Sequence, residues 1–234
     1  MDGGPQAEVA ARVPGAAGLG LLAPPSARRF PATLLADDGW TADRVAELGA
    51  RYRSTDRRAL ATVWWYSASA ALLTPVAAGL ATGRPLSARL ADTTLYEVGG
   101  AVLAAVSAAP SGPDPAGDLR GALAAAVGAV AAAGGVRERP LWAVATDSLA
   151  GRLLAVGRAL GRVDAVTALA APVVAAVGAP MPAPRWADVG GTRFVRRVSC
   201  CLLTRLPGQP TCTACPARRP EDRQVLLEAA AGPW

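Results

Sequence analysis

The spacing of apolar residues along the chain predicts a mainly helical protein. Between Thr41 and Tyr52 the apolar positions recur at helical intervals, so that Val45, Leu48 and Tyr52 share one face. Thr41 stands directly before this pattern, where its hydroxyl could cap the helix. The sequence therefore predicts a first amphipathic helix that begins after Thr41.

A second, longer helix is expected to begin near Thr55 or Asp56, with Pro75 kinking or ending it and Gly83 marking its stop. The stretch from Ala59 to Thr82 carries no charge and is long enough to cross a bilayer. Alanine, serine and threonine dominate it, and strongly apolar side chains are few. A buried core helix is therefore favoured over a membrane span, with a membrane-anchored redox subunit as the rival interpretation.

The remaining pattern predicts one β element and several more helices. Residues 86–98 favour a strand or short hairpin before Gly99-Gly100. Further helices are expected at 116–134, 140–160, 162–178 and, after Pro220, 221–231. The paired carboxylates Asp37-Asp38 and Glu221-Asp222 fall in loops or at helix starts, which indicates helix caps and not acid–base catalysis.

The helix expected over 140–160 has the clearest amphipathic pattern of the chain. Its apolar face is formed by Trp142, Ala145, Leu149, Leu153 and Val156. Asp147 and Arg158 are expected on the opposite, polar face.

These elements predict the fold class mainly α (α+β), with a minor β element. The length of 234 residues suits one well-buried domain with a small appendage. We expect an irregular N-terminal arm over 1–40, a mainly helical domain over 41–184 and a C-terminal cysteine-rich segment over 185–234. The arm is rich in glycine, proline and alanine and has no sustained period.

The charge and the missing residue types narrow the possible chemistry. The formal net charge is +6 and all 24 basic residues are arginine, which favours an anionic partner such as nucleic acid, phospholipid or an anionic chelate. The chain contains no histidine. A Rieske centre, a histidine-ligated haem, a histidine-ligated catalytic zinc and the common hydrolase triads are therefore disfavoured.

All four cysteines lie within one short C-terminal stretch. Cys200 and Cys201 are adjacent, and ten residues separate them from the Cys212-Thr213-Ala214-Cys215 knuckle. Pro207, Gly208 and Pro210 lie in the intervening loop and are expected to turn the chain back. Two interpretations stay open: a [2Fe–2S] cluster, whose two irons need the sulfurs spread in pairs, and a structural zinc site.

Disulfides are disfavoured for these cysteines. A bridge between adjacent cysteines would be strained, and the acidic, turn-forming start of the chain predicts no signal peptide and hence a reducing, cytoplasmic setting.

Several arginines flank the cysteines: Arg193, Arg196, Arg197, Arg205, Arg218 and Arg219. Guanidinium groups beside an all-thiolate cluster would stabilise its reduced form and attract an anionic substrate. Ordinary solvated surface charge is the alternative for any one of them. Arg196, Arg197 and Arg205 are the candidates for an electrostatic or substrate-binding role.

The sequence Arg196-Arg197-Val198-Ser199-Cys200-Cys201, followed after ten residues by Cys212-Thr213-Ala214-Cys215-Pro216, resembles the C-terminal motif of the FhuF-like ferric iron reductases. That motif is Cys-Cys, ten residues, Cys-x-x-Cys, commonly preceded by arginines and followed by proline. The match covers about 193–216, and Leu202-Leu203-Thr204 replaces the aromatic stretch of the family. Upstream, the helix at 59–73 and the Pro140-Leu141-Trp142-Ala143 helix start are similar to the family's ferric-reductase-like domain.

The resemblance implies a cytoplasmic ferric-siderophore reductase. A [2Fe–2S] cluster held by Cys200, Cys201, Cys212 and Cys215 would reduce siderophore-bound Fe³⁺ to Fe²⁺ by one electron, with no catalytic residue beyond the cluster. The Gly18 to Ala23 stretch matches a dinucleotide-binding pattern only in its letters, because Pro24-Pro25 breaks the helix that this motif needs. The electron donor is therefore expected to be external, a ferredoxin-like protein or a flavoprotein.

The expected partners are thus a ferric siderophore and this donor, without nucleic acid. A peripheral position at the inner face of the membrane is compatible with the positive charge. The alternative function is a non-enzymatic Cys₄ zinc module that braces a basic interaction surface.

Overall fold

The centre of the molecule is a long helix, α3 (Arg57–Ala81), in a computed structural model that describes residues 4–232. The Asp56 side chain accepts a hydrogen bond of 3.0 Å from the Ala59 amide and so caps this helix. Pro75 lies inside the helix and does not end it; the helix continues to Ala81, with Thr82 as its C-cap before Gly83 at φ 70°. The predicted start near Asp56 and the stop at Gly83 are confirmed.

α3 is a core helix that packs against α5 (Glu138–Ala159). Trp64 and Trp65 are completely or almost completely buried, and the Trp65 indole donates a 2.8 Å hydrogen bond to the Leu141 carbonyl of α5. The hydroxyl groups of Ser69 and Ser148 lie 2.8 Å apart across the same interface. Most of the uncharged stretch 59–82 is therefore buried inside the protein, as the favoured interpretation predicted, with Tyr66 exposed.

Helix α4 (Pro115–Gly134) confirms the helix expected over 116–134. Asp114 caps it by accepting from the Gly117 amide at 2.9 Å, and Gly135 ends it in the left-handed conformation. Among residues 4–232, α4 is the one helix long and apolar enough to cross a membrane by length and composition, and 44% of its apolar window is buried. Core helices of soluble proteins have the same properties.

A three-stranded antiparallel sheet in the order β1-β2-β3 packs beside these helices. Its strands are β1 (Arg28–Pro31), β2 (Thr93–Val98) and β3 (Ala101–Ser107). Gly99 and Gly100 both have positive φ and form the turn between β2 and β3, as a two-residue hairpin turn requires. The predicted β element exists, but the hairpin surrounds the two glycines instead of ending before them.

The N-terminal region is more ordered than the irregular arm expected over 1–40. Helix α1 (Pro5–Ala10) places the Gln6 amide where it donates to the carbonyls of Leu21 and Ala105 and accepts from the Ser107 amide. Val9 is fully buried. The chain between α1 and β1 consists of turns. The buried Gln6 side chain holds its N-terminal end, and the strand β1 holds its C-terminal end. These tertiary contacts leave no periodic pattern in the sequence.

Residues 1–3 of that expected arm and 233–234 of the expected C-terminal segment lie outside the described residues.

Helix α2 (Asp38–Tyr52) begins earlier than predicted. Asp37, not Thr41, is its N-cap, because the Asp37 carboxylate accepts from the Trp40 amide at 2.6 Å. Thr41 lies within the helix and is fully buried. The role of Asp37 as a cap was predicted, although its helix was placed three to four residues too late.

The single helix expected over 162–178 is two helices, α6 (Val163–Thr167) and α7 (Ala170–Val177). Pro172 has no amide hydrogen to donate to the carbonyl four residues earlier, so a continuous helix would lack a bond at the junction. Helix α8 (Pro220–Ala231) confirms the predicted C-terminal helix, with Glu221 and Asp222 in its first turn.

The hairpin that leads into the cysteine segment was missed from the sequence. Its antiparallel strands are β4 (Trp186–Val189) and β5 (Thr192–Val195), and the turn is Gly190-Gly191. β5 packs against α5, where Arg158 donates a 2.7 Å hydrogen bond to the Arg193 carbonyl. The fold is mainly helical with two small antiparallel sheets, which confirms the fold class mainly α (α+β).

Candidate metal centre

A buried carboxylate holds the start of the cysteine segment against α5. Asp147 accepts one hydrogen bond from the Val198 amide at 2.8 Å and a second from the Ser199 amide at 3.0 Å. Its exposed fraction is 5%. Both carboxylate oxygens are thus used to fix the backbone directly before Cys200.

Asp147 was expected on the polar face of α5, opposite the apolar face, but this position is buried. The C-terminal segment folds over this position and supplies the polar partners that a buried carboxylate needs. The neighbouring stretch from Leu141 to Ala150 is buried throughout. A single carboxylate within an apolar stretch indicates in the sequence that Asp147 needs a polar partner. It does not identify that partner, which lies about 50 residues away.

Burial raises the pKa of Asp147 above its ordinary value. The amides of Val198 and Ser199 and the guanidinium of Arg197 oppose this effect.

The contacts of the sulfur atoms divide the four cysteines into two pairs, Cys200 with Cys215 directly and Cys201 with Cys212 through Arg197. Cys200 Sγ and Cys215 Sγ lie 3.9 Å apart. Arg197 Nη1 lies 3.5 Å from Cys201 Sγ and 3.6 Å from Cys212 Sγ, so it bridges the second pair. All four thiols are free of disulfide bonds.

Local backbone geometry explains how adjacent cysteines can serve different pairs. Leu202 adopts the left-handed conformation at φ 62°, which turns the chain sharply after the double cysteine. Its amide donates to Cys200 Sγ at 3.4 Å. On the other side, Arg218 donates to the carbonyls of Thr211 and Cys212, and Arg223 donates to the carbonyl of Cys215. These bonds hold the Cys-x-x-Cys knuckle.

The pairing suits the ligands of a two-iron cluster. Each iron of a [2Fe–2S] centre takes two thiolates, and two sulfurs bound to one tetrahedral metal at about 2.3 Å lie about 3.8 Å apart. The Cys200 and Cys215 sulfurs already have this separation. Within residues 4–232 no group of three or more histidine, cysteine, aspartate or glutamate side chains is arranged to hold a single metal ion. The fit to a cluster thus rests on the separation of the Cys200 and Cys215 sulfurs and on an all-thiolate donor set.

The side chain of Arg197 is the main source of positive charge at the sulfurs. It is 9% exposed, its guanidinium lies over the Tyr66 ring at 4.7 Å, and Nε lies 3.7 Å from Asp147 Oδ2. Burial alone would lower the pKa of Arg197, but the Cys201 thiolate, Tyr66 and Cys212 raise it overall. Arg197 is therefore charged whenever the sulfurs are, and neutralises part of their charge.

The other two candidate arginines make no bond to the sulfurs in the described part of the chain. Arg196 is exposed, and its backbone amide bonds to the Arg185 carbonyl. Arg205 forms an ion pair of 2.9 Å with Asp56, the capping residue of α3. It thus ties the loop between the cysteine pairs to α3.

The remaining flanking arginines differ in their partners. Arg193 pairs with Asp164 and Asp188, and Arg218 donates to backbone carbonyls of the knuckle, whereas Arg219 is the N-cap residue of α8 and makes no side-chain cap bond. The six arginines near the cysteines in sequence are thus not one cluster in space.

Two of the cysteines are buried and two are partly open to solvent. Cys215 and Cys201 are 1% and 6% exposed, whereas Cys200 and Cys212 are half-buried. Burial raises the pKa of the Cys200 thiol, against the effect of the Leu202 amide. Burial likewise raises the pKa of the Cys212 thiol, against the effect of Arg197.

A cleft of about 680 Å³ opens beside Cys200. It lies between the start of α3, the connection from α4 to α5 and the double cysteine. Arg58 and Arg137 line it, and neither was singled out from the sequence. They are distant from the cysteines along the chain, so only the folded arrangement shows that they are neighbours of the site.

No protein-family model, curated protein or solved structure matches the chain.

Proposed function

We propose that this protein is an iron–sulfur oxidoreductase that reduces siderophore-bound Fe³⁺ to Fe²⁺, as its resemblance to the FhuF-like ferric iron reductases implies. The observations that carry the proposal are the 3.9 Å approach of the Cys200 and Cys215 sulfurs and the contact of Arg197 with the Cys201 and Cys212 sulfurs. Cys200, Cys201, Cys212 and Cys215 would hold a [2Fe–2S] cluster. Such a cluster supplies a reversible one-electron transfer at a fixed position.

The residues around the sulfurs have separate tasks in this proposal. Asp147 fixes the backbone of Val198 and Ser199, which sets the position of Cys200. Arg197 donates toward two sulfurs and offsets their negative charge, which favours the more negative, reduced state. Cys201 and Cys215 exclude water from one side of the site by their burial.

Release of iron needs no acid, base or nucleophile from the protein. The hard oxygen ligands of a siderophore prefer the small, highly charged Fe³⁺ over Fe²⁺, so the chelate loosens once the metal gains one electron. Half-buried Cys200 and Cys212 give an electron two routes between the site and the surface. We place the protein in the cytoplasm and assign its reduction to an external ferredoxin-like or flavoprotein donor.

The proposal is tested by mixing the reduced protein with a ferric siderophore under anaerobic conditions. The protein is first reduced with dithionite and desalted. We expect its visible spectrum to return to the oxidised form while a ferrous-specific chelator captures one Fe²⁺ per cluster.

The Cys201→Ser/Cys212→Ser variant is the control for reduction by residual dithionite and should yield no Fe²⁺. A reduced wild-type protein that keeps its spectrum in the presence of the ferric siderophore would refute the function.

A further inference from the structure

The cleft beside Cys200 has a one-sided charge. Its lining residues are Arg58, Thr62, Gly135, Val136, Arg137, Pro140, Leu141, Ser199, Cys200 and Leu202, which include two arginines and no carboxylate. We propose that this cleft is the binding site of the electron acceptor and that it selects anionic ferric chelates over neutral ones. This inference rests on the proposed function and adds to it the site and the charge class of the substrate.

The two arginines are available to bind an anion. Both are exposed, and within residues 4–232 neither forms an ion pair with a carboxylate. Arg205 and Arg197, by contrast, are already occupied by Asp56 and by the sulfurs. Unpaired guanidinium groups in a concave, partly apolar surface attract anions more strongly than the same groups on an open surface.

The position of the cleft at the start of α5 adds to this positive potential. Arg137 is the N-cap residue of α5, and no side chain accepts a hydrogen bond there. The free amides of the first turn carry partial positive charge. The partial charge of these amides adds to the positive potential of the two guanidinium groups, but it would not form an anion site by itself.

The cleft also places its occupant against the redox centre. Ser199 and half-buried Cys200 form part of its wall. An electron would leave the reduced site at Cys200 and enter the Fe³⁺ of the chelate, so that the site is oxidised and the iron becomes Fe²⁺. The external donor then returns one electron to the site.

The dimensions and the chemistry of the walls suit a small chelate. The volume of about 680 Å³ lies within the range of about 300–1,000 Å³ typical of small-molecule sites. Val136 and Leu202, which are partly exposed, supply apolar contacts for the organic part of the ligand. A trianionic tris-catecholate complex of the metal gains from both arginines, whereas a neutral tris-hydroxamate complex gains only the apolar contacts.

The test uses gallium(III) complexes, which have the shape of the ferric chelates but do not accept an electron. Binding of a trianionic gallium tris-catecholate and of a neutral gallium tris-hydroxamate is measured by calorimetry on the intact, metal-loaded protein. We expect the anionic complex to bind at least tenfold more tightly at low ionic strength, and the difference to shrink as salt is added.

The matched variants are Arg58→Gln/Arg137→Gln and, as control, Arg12→Gln. Arg12 is exposed and follows α1, whose Glu8 pairs with Arg84 beyond the C-terminal end of α3. The control thus lies toward the end of α3 opposite to Arg58, roughly 35 Å along the helix. We expect the double variant to lose tenfold or more in affinity for the anionic complex, and Arg12→Gln to retain it.

The outcomes separate this inference from the proposed function. Equal affinity for the two complexes, or full affinity in the double variant, overturns the inference even if the protein reduces ferric siderophores. Tight, arginine-dependent binding of the anionic complex upholds the cleft as its site even if the protein fails to reduce iron.

Discussion

Arg197 connects two of the cysteines to the helices α3 and α5. It contacts Cys201, Cys212, Tyr66 and Asp147, and it is almost fully buried. Its sequence position four residues before Cys201 suggested proximity to the sulfurs, but Arg196 has almost the same sequence context and is exposed. Only the fold distinguishes the two, because the chain direction after β5 decides which side chain turns inward.

Replacing Arg197 by glutamine is expected to lower the reduction potential of the cysteine site. The guanidinium stabilises the more negative state, and a charged hydrogen bond of about 1.5 kcal/mol corresponds to roughly 60 mV for one electron. The measurement is a spectroelectrochemical titration of the loaded protein. Arg205→Gln is the matched control, since Arg205 pairs with Asp56, and it should leave the potential within experimental error. Equal shifts in both variants would contradict the role of Arg197.

Replacing Asp147 by asparagine is expected to destabilise the protein by about 3 kcal/mol, because it leaves Arg197 without its buried carboxylate and weakens two amide contacts. Denaturant unfolding of the wild type and the variant measures this difference.

The control for that substitution is Asp188→Asn. Asp188 is exposed and pairs with Arg193 at the surface, so its loss should cost a few tenths of a kcal/mol. If Asp147→Asn proves as mild as Asp188→Asn, Asp147 does not anchor the cysteine segment.

The raised thiol pKa values predict how the metal-free protein responds to pH. Burial raises the pKa of Cys200 and of Cys212 in the folded state, so the folded protein holds these two protons more tightly than the unfolded chain. The resulting stability is fully present below the ordinary cysteine pKa and is lost as the pH rises through the raised values.

We therefore expect the denaturant midpoint of the metal-free wild type to fall across this alkaline range. The Cys200→Ser/Cys212→Ser variant lacks both thiols, so its midpoint should fall less. Parallel curves for the two proteins would show that these thiols do not cause the loss.

At the scale of elements, the contact between α3 and α4 depends on a glycine. A Cβ at Gly134 would lie 2.5 Å from the Ala61 Cβ, so the helices could not approach as closely there. At Gly128 in the same helix, a Cβ would meet nothing within 4 Å. The two positions form a natural pair for comparison.

Gly134→Ala is expected to destabilise the protein by about 1–3 kcal/mol, because the added methyl group forces α3 and α4 apart. Gly128→Ala should stabilise it by up to about 1 kcal/mol, since alanine is the better helix former. Thermal or denaturant unfolding of the two variants measures both effects. Opposite signs confirm the close approach, and a stabilised Gly134→Ala variant would contradict it.

The elements that were predicted well are those whose signals are local. A helix cap such as Asp56, a glycine after a helix or a loop before one lies next to the helix that it begins or ends. The helices α3, α4, α5 and α8 were therefore placed within a few residues. The β4–β5 hairpin was missed because its short strands have half-buried side chains without a clear alternation. The ordering of Gln6 depends on partners about 100 residues away.

At the scale of the molecule, the C-terminal cysteine segment is attached to the helical core at several points. Asp147 bonds the segment to α5, Arg205 ties its loop to the cap of α3, and Arg158 bonds β5 to α5. The sequence predicted a C-terminal cysteine-rich segment from residue 185, and the β4–β5 hairpin begins at Trp186.

Some residues of the candidate site could be predicted from the sequence, and others could not. The four cysteines are visible in the sequence because all four lie close together along the chain. Asp147, Arg58 and Arg137 come from helices far upstream and carry no motif, so their relation to Cys200 follows only from the packing of α3 and α5. The sequence alone identified the four cysteines as candidate ligands, whereas the support of the site and its cleft could not be predicted from it.

The most direct test of the central claim is the visible and EPR spectrum of the anaerobically purified protein, together with its iron and zinc content. A [2Fe–2S] cluster held by the four cysteines predicts a reddish-brown protein with about two irons per chain that bleaches with dithionite and then gives an EPR signal. A colourless protein with one zinc per chain and no EPR signal after reduction would contradict the account.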